Sequence, residues 1–84
     1  LNFSGDGICL ALNTPNTADS VKLFSRLDDM TVNFGGIANI AKDSRLAAAT
    51  VQAMYGGYAG FRKALRAYDP DAHFQSELRS RLDV

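Results

Sequence analysis

One cysteine, Cys9, is the chain's whole complement of thiols, so no internal disulfide can form. That suits a cytoplasmic protein, with the periplasm or a membrane surface as the alternatives. There is no excess charge of either sign: nine basic and nine acidic residues cancel. A dedicated nucleic-acid binder, whose phosphate contacts require a positive surplus, is therefore not expected. Long hydrophobic runs are also missing. The longest uninterrupted apolar stretch, "ICLAL", is far short of the roughly 20 residues a spanning helix needs, so no transmembrane segment is expected. One histidine, His73, has no Cys or His partner at ligand spacing, which argues against a metal site and against a Ser-His-Asp arrangement. Neither a signal-peptide pattern nor an initiating methionine is present; the chain opens on "LNFSGDG".

What is present is ordinary globular material: 84 residues, 46% hydrophobic and 21% charged. After the turn dipeptide Asp6-Gly7, "ICLALN" is an apolar run of strand length, better suited to a strand covered on both faces than to a half-exposed one. "TPNTADS" interrupts it, with Asn16 or Thr17 placed to cap a helix and Asp19 suited to its positive end. Leu23, Leu27, Met30 and Phe34 recur at spacings of four, three and four, and Val21 and Phe24 widen that helical stripe. Gly35-Gly36 closes the helix. "IANIA" is a second, weaker strand candidate.

Asp43 or Ser44 can cap the next helix, "RLAAATVQAMY", which "GGYAG" breaks. "FRKALRAY" sets Phe61, Leu65 and Tyr68 on one face and stops at Asp69-Pro70, and Phe74, Leu78 and Leu82 mark a last short helix. The fold class this predicts is α+β: one or two strands of a sheet plus about four helices. Two strands cannot make a stable sheet, and the helical stripes need more surface than two strands supply. The expectation is thus the C-terminal part of a larger protein, with residues 1–45 forming strand-helix-strand and 46–84 the closing helices.

The residue with the most chemical promise is Lys42, directly after the second strand candidate in "GGIANIAKDSR". A lysine at a strand end can donate to a substrate oxygen or stabilise developing negative charge, although an exposed surface lysine is the commoner case. Cys9, inside an apolar run with no basic neighbour, reads as a small buried hydrophobe or a pocket liner, not a nucleophile. Arg62, Lys63 and Arg66 read as a solvated helix face, or as a contact surface if the chain is a stand-alone helical interaction module. The glycines of "GGYAG" lack the spacing of a phosphate loop.

Taken together, "GICLALN", "GGIANIAKDSR", "MYGGY", the Arg and Asp-Pro of "RAYDPDAHF", and "SELRSRL" resemble the C-terminal part of FAD-linked oxidases of the vanillyl-alcohol oxidase superfamily, in the sugar and aldonolactone oxidase branch. The resemblance spans nearly the whole chain. It implies a substrate-domain segment covering the flavin, with the final helices packing back on an N-terminal FAD-binding domain of the same parent. It further implies that Lys42 reaches between substrate and flavin, contacting both, and that Asn39 and Cys9 line the substrate pocket. The implied substrate is a small sugar or alcohol oxidised by hydride transfer to FAD, which is held mainly outside this chain. Gly7 stands where the pattern has asparagine, and Asn39 where relatives can carry tyrosine.

Overall fold

A computed structural model describes residues 1–41 and 45–84. It contains four helices: α1 (Ala18–Asn33), α2 (Ala48–Met54), α3 (Tyr58–Tyr68) and α4 (Glu77–Leu82). Among the described residues there is no strand, so the chain is all-helical and the α+β expectation is corrected. The run "ICLALN" is irregular and turned to solvent, with Ile8 92% and Leu10 78% exposed. "IANIA" has no strand partner either; its Ile37, Ala38 and Ile40 pack against the helical core. The physical reason is that strand character depends on a neighbouring strand to pair the backbone. An apolar run without one keeps only its local preference.

α1 begins where its capping chemistry says it should. The Thr17 hydroxyl accepts from the Ser20 amide at 3.2 Å, and Asp19 occupies the first turn. Its end is a Schellman motif: Gly35, at φ +71°, donates to Val32 O at 3.1 Å, and Gly36 donates to Thr31 O at 2.8 Å. Its orientation differs from the apolar stripe in the sequence. Phe24, Leu27 and Thr31 are half-buried, whereas Leu23, Met30 and Phe34 are exposed.

α2 starts at Ala48, later than the alanine-rich pattern suggests, with Ala47 as a cap that offers no side-chain hydrogen bond. Arg45 and Leu46 precede the helix and are held by side chains of other elements. The expected caps Asp43 and Ser44 lie outside the described residues. α2 is the helix against which α1, α3 and α4 each pack.

α3 starts earlier than the "GGYAG" break suggests, at Tyr58, and α4 is capped by Ser76, whose hydroxyl accepts from the Arg79 amide at 3.0 Å. The core is small: Leu46, Val51, Tyr55, Tyr58 and Leu82, with Leu78, Met54 and Val84 among the half-buried side chains against it. The radius of gyration, 14.0 Å, exceeds the about 12 Å of a compact chain this long. The accessible surface, 6410 Å², likewise exceeds the roughly 4,900 Å² of a compact protein of this mass. No helix among the described residues is long and apolar enough to cross a membrane.

Candidate functional site

The segment from Ala38 to Leu46 carries the sequence's chemical signals, and it is neither helix nor strand where described. It is instead tied at both ends by side chains from three other parts of the chain. The Tyr55 hydroxyl, just past α2, donates to Ala38 O at 2.6 Å. Burial raises the Tyr55 phenol above its usual pKa, against a smaller opposing pull from the Ile40 backbone. The phenol is therefore a proton donor throughout the physiological range. Asn39 Oδ1 accepts from the Ala41 amide at 3.1 Å, closing an Asx turn.

At the other end, Arg45 forks the Asp28 carboxylate: Nη1 donates to Oδ2 at 2.5 Å and Nη2 to Oδ1 at 3.1 Å. The same guanidinium lies 4.8 Å from the centroid of the Phe24 ring. Leu46 is 1% exposed, and its carbonyl accepts from Arg81 Nη1 at 2.8 Å.

A second polar cluster joins α3 to the end of the chain. The Tyr58 hydroxyl donates to Leu82 O at 2.5 Å, Arg62 Nε donates to Asp83 O at 2.8 Å, and Arg62 Nη2 reaches Asp83 Oδ2 at 2.9 Å. Arg66 Nη2 also reaches the Asp83 carboxylate, at 3.3 Å. Two of the three cations of the expected solvated face thus pair with one aspartate at the surface. Between α3 and α4, the Asp69 carboxylate accepts from the His73 and Phe74 amides and from Arg79 Nη1. The Arg79 hydrogen bond is the chief reason the Asp69 pKa falls to about 2.

The residues singled out in the sequence fare differently. Lys42 lies outside the described residues. Asn39 is half-buried, with its side chain engaged in the local turn. Cys9 is exposed rather than buried, on the irregular segment before α1. His73 is exposed, 3.7 Å from Asp71 Oδ2. Among the described residues no three His, Cys, Asp or Glu side chains come together as a metal site would require.

Two surface grooves, of about 450 Å³ between α1 and α2 and about 480 Å³ between α3 and α4, are lined by neither Cys9 nor Asn39. Both are open to solvent, and neither has a glycine-rich turn feeding a helix N-terminus.

Tyr55, Asp28, Arg45 and Asp69 carry much of the polar structure; of these the sequence singled out only Asp69, as part of a helix stop. Arg45 sits inside "AKDSR" and Tyr55 inside "MYGGY", so the motifs contained them. Their partners, 17 residues away in each case, are not signalled by local spacing.

No family model matches the chain, and no solved structure matches it. Over its whole length it is 33% identical to the decaprenylphosphoryl-beta-D-ribose oxidase of Mycolicibacterium smegmatis, of which it covers 18%. It is also 35% identical, again over its whole length, to an uncharacterized protein in the mprA 5′ region of Streptomyces coelicolor, of which it covers 23%. The chain spans less than a quarter of the length of these relatives. The first similarity supports a distant relationship to an oxidase and singles out no branch.

Proposed function

We propose that the chain is the C-terminal, pocket-forming part of an FAD-dependent oxidoreductase acting on a sugar or alcohol hydroxyl. The observation that carries this reading is the end-to-end similarity of all 84 residues to one stretch of an oxidase. Ile8, Leu10, Phe34 and Tyr68, each more than three-quarters exposed, are apolar side chains that a neighbouring domain could cover. The rest of the parent, including its FAD-binding domain, is the proposed cover.

The redox chemistry of such an enzyme belongs to the flavin. FAD is assigned mainly to the rest of the parent, of which this chain matches a small part. The role assigned to this chain is to supply pocket groups. Lys42 is the proposed catalytic residue, a cation beside the substrate hydroxyl and the flavin, where it would favour negative charge developing on oxygen. Asn39 and Cys9 are proposed pocket contacts for the substrate.

The exposed Cys9 fits that role better than the buried reading does. The alternative, a stand-alone module working through Arg62, Lys63 and Arg66, is disfavoured by the engagement of Arg62 and Arg66 with Asp83.

The test is the visible absorption spectrum of the full-length protein that carries this segment, recorded anaerobically before and after adding sugars, lactones and polyols. The expected result is a flavin band that one of them bleaches, with Lys42→Ala retaining the flavin but losing the bleaching. A colourless protein that cannot be reconstituted with FAD would overturn the reading.

A further inference from the structure

We propose that residues 80–84 form a strap over the helical core, anchored at one end by Arg79 and latched at the other by Asp83. The strap is a property of this fold and is independent of any redox role. α4 is six residues long, far short of the roughly 12–15 an isolated helix needs, so it stays helical only while docked. Of the other helices only α2 packs closely against it. Its one buried side chain is Leu82, which completes the core with Leu46, Val51, Tyr55 and Tyr58.

The two ends of the strap are held differently. At Arg79 the guanidinium donates to the Asp69 carboxylate and to Phe74 O, in a pair almost wholly out of water. Parting such a pair strands a buried charge, so this end does not release readily. At Asp83 the partners come from α3 and lie at the surface. Arg62 and Arg66, with side chains 36% and 52% exposed, grip a carboxylate that is 63% exposed. Ion pairs so open to water contribute little each and are screened by salt.

Hydrogen bonds to three successive carbonyls complete the closure. Tyr58 donates to Leu82 O, Arg62 Nε to Asp83 O and Arg79 Nε to Val84 O. Arg81 Nη1 adds a tie to Leu46 O. Asp83 stands at φ 55°, a left-handed conformation that a residue with a side chain keeps only where its surroundings impose it. Arg62, holding both its carbonyl and its carboxylate, imposes it. Release of the latch lets Asp83 return to ordinary backbone geometry and pivots Leu82 out of the core about Arg79. The open form uncovers the face of the core that Leu82 fills, and it parts Arg62 and Arg66 from their carboxylate.

The experiment is native-state hydrogen exchange on the full-length protein that carries this segment, read by mass spectrometry on peptides from the strap and from α2. The strap should exchange at least about tenfold faster than α2, and low urea should speed α2 but not the strap, because a small opening exposes little surface. Tyr58→Phe, which keeps the buried ring, should speed strap exchange about 5- to 30-fold by removing one hydrogen bond. Raising salt from about 0.05 to about 0.5 M should speed it about twofold, and should have no such effect in Asp83→Asn, which keeps the size of aspartate without its charge.

Strap exchange at the α2 rate, with the urea dependence of α2, would overturn the proposal, because residues 80–84 would then open only with the whole fold. A salt effect that survives Asp83→Asn would remove Asp83 as the latch and overturn it equally. Should Tyr58→Phe fold poorly, Asp83→Asn, a substitution at the surface, carries the comparison alone.

Discussion

Arg79 and Asp69 close the turn between α3 and α4 as a buried ion pair, Nη1 to Oδ2 at 2.5 Å, with side chains 10% and 3% exposed. The arrangement is self-consistent: the same guanidinium holds Phe74 O, and the carboxylate holds the amides of His73 and Phe74. A turn containing Pro70 and a left-handed Ala72 (φ 53°) is thereby pinned by side chains rather than by helix. Every buried side-chain nitrogen or oxygen among the described residues has a partner.

That pair makes stability depend on acid in a defined window. The folded-state pKa of Asp69 is lowered from 3.8 to about 2, mainly by Arg79. A depressed carboxylate contributes stability above its unfolded pKa, and the contribution disappears as pH falls through the folded value. Helical circular dichroism should therefore hold down to about pH 4 and weaken between about pH 4 and 2. Asp69→Asn should melt at a lower temperature at neutral pH and show a flatter response across that window. An unchanged acid profile in Asp69→Asn would show that another group governs the transition.

Tyr58→Phe isolates one oxygen. It removes the donor to Leu82 O and the longer contact to Asp83 O, at 2.5 and 3.4 Å, while keeping the buried ring. The Leu82 carbonyl would be left buried without that donor. The expected loss is about 1–2 kcal/mol in denaturant unfolding, read against the parent chain. A loss near zero would mean that water replaces the hydroxyl at the chain's end.

The ends of α1 offer a paired test of local chemistry. Thr17→Ala removes the hydroxyl that accepts the Ser20 amide and should cost about 1 kcal/mol. Gly35→Ala forces a side chain into φ +71° with open space around it, so the cost is backbone strain alone, about 1–2 kcal/mol. Thermal melts of both variants check the two values.

The contrast between those helix ends and the rest shows what the sequence made legible. Thr17, Gly35 and the Asp69-Pro70 stop act within a few residues of themselves, so all four helices could be placed from punctuation and periodicity. Which face of a helix points inward depends on what packs there, and periodicity does not encode that. α1 turns Leu23, Met30 and Phe34 outward, and the C-cap of α3, Asp69, is buried despite its charge. The strand reading of "ICLALN" failed for the same reason: its apolar character implied neighbours that no other part of the described chain supplies. The contacts of Ala38 and Arg45 were not legible, because their partners Tyr55 and Asp28 lie 17 residues away and meet them only through the fold.

The outward stripe of α1 separates what this chain needs for itself from what it offers elsewhere. Leu46 is 1% exposed at the centre of a five-residue core, and Leu46→Ala should cost about 2–5 kcal/mol. That is most of the stability a domain of this size possesses, so the variant should lose its cooperative melt. Phe34, at 86% exposure, makes little use of this core, and Phe34→Ser should change the melting of the 84-residue chain by no more than about 0.5 kcal/mol. On the proposed function, the same substitution in the full-length parent should lower the melting temperature by several degrees, because the stripe would there lie against the rest of the protein. Equal indifference in both settings would mean that α1 faces solvent in the parent too, and that the covering surface must be sought along Ile8, Leu10 and Leu12.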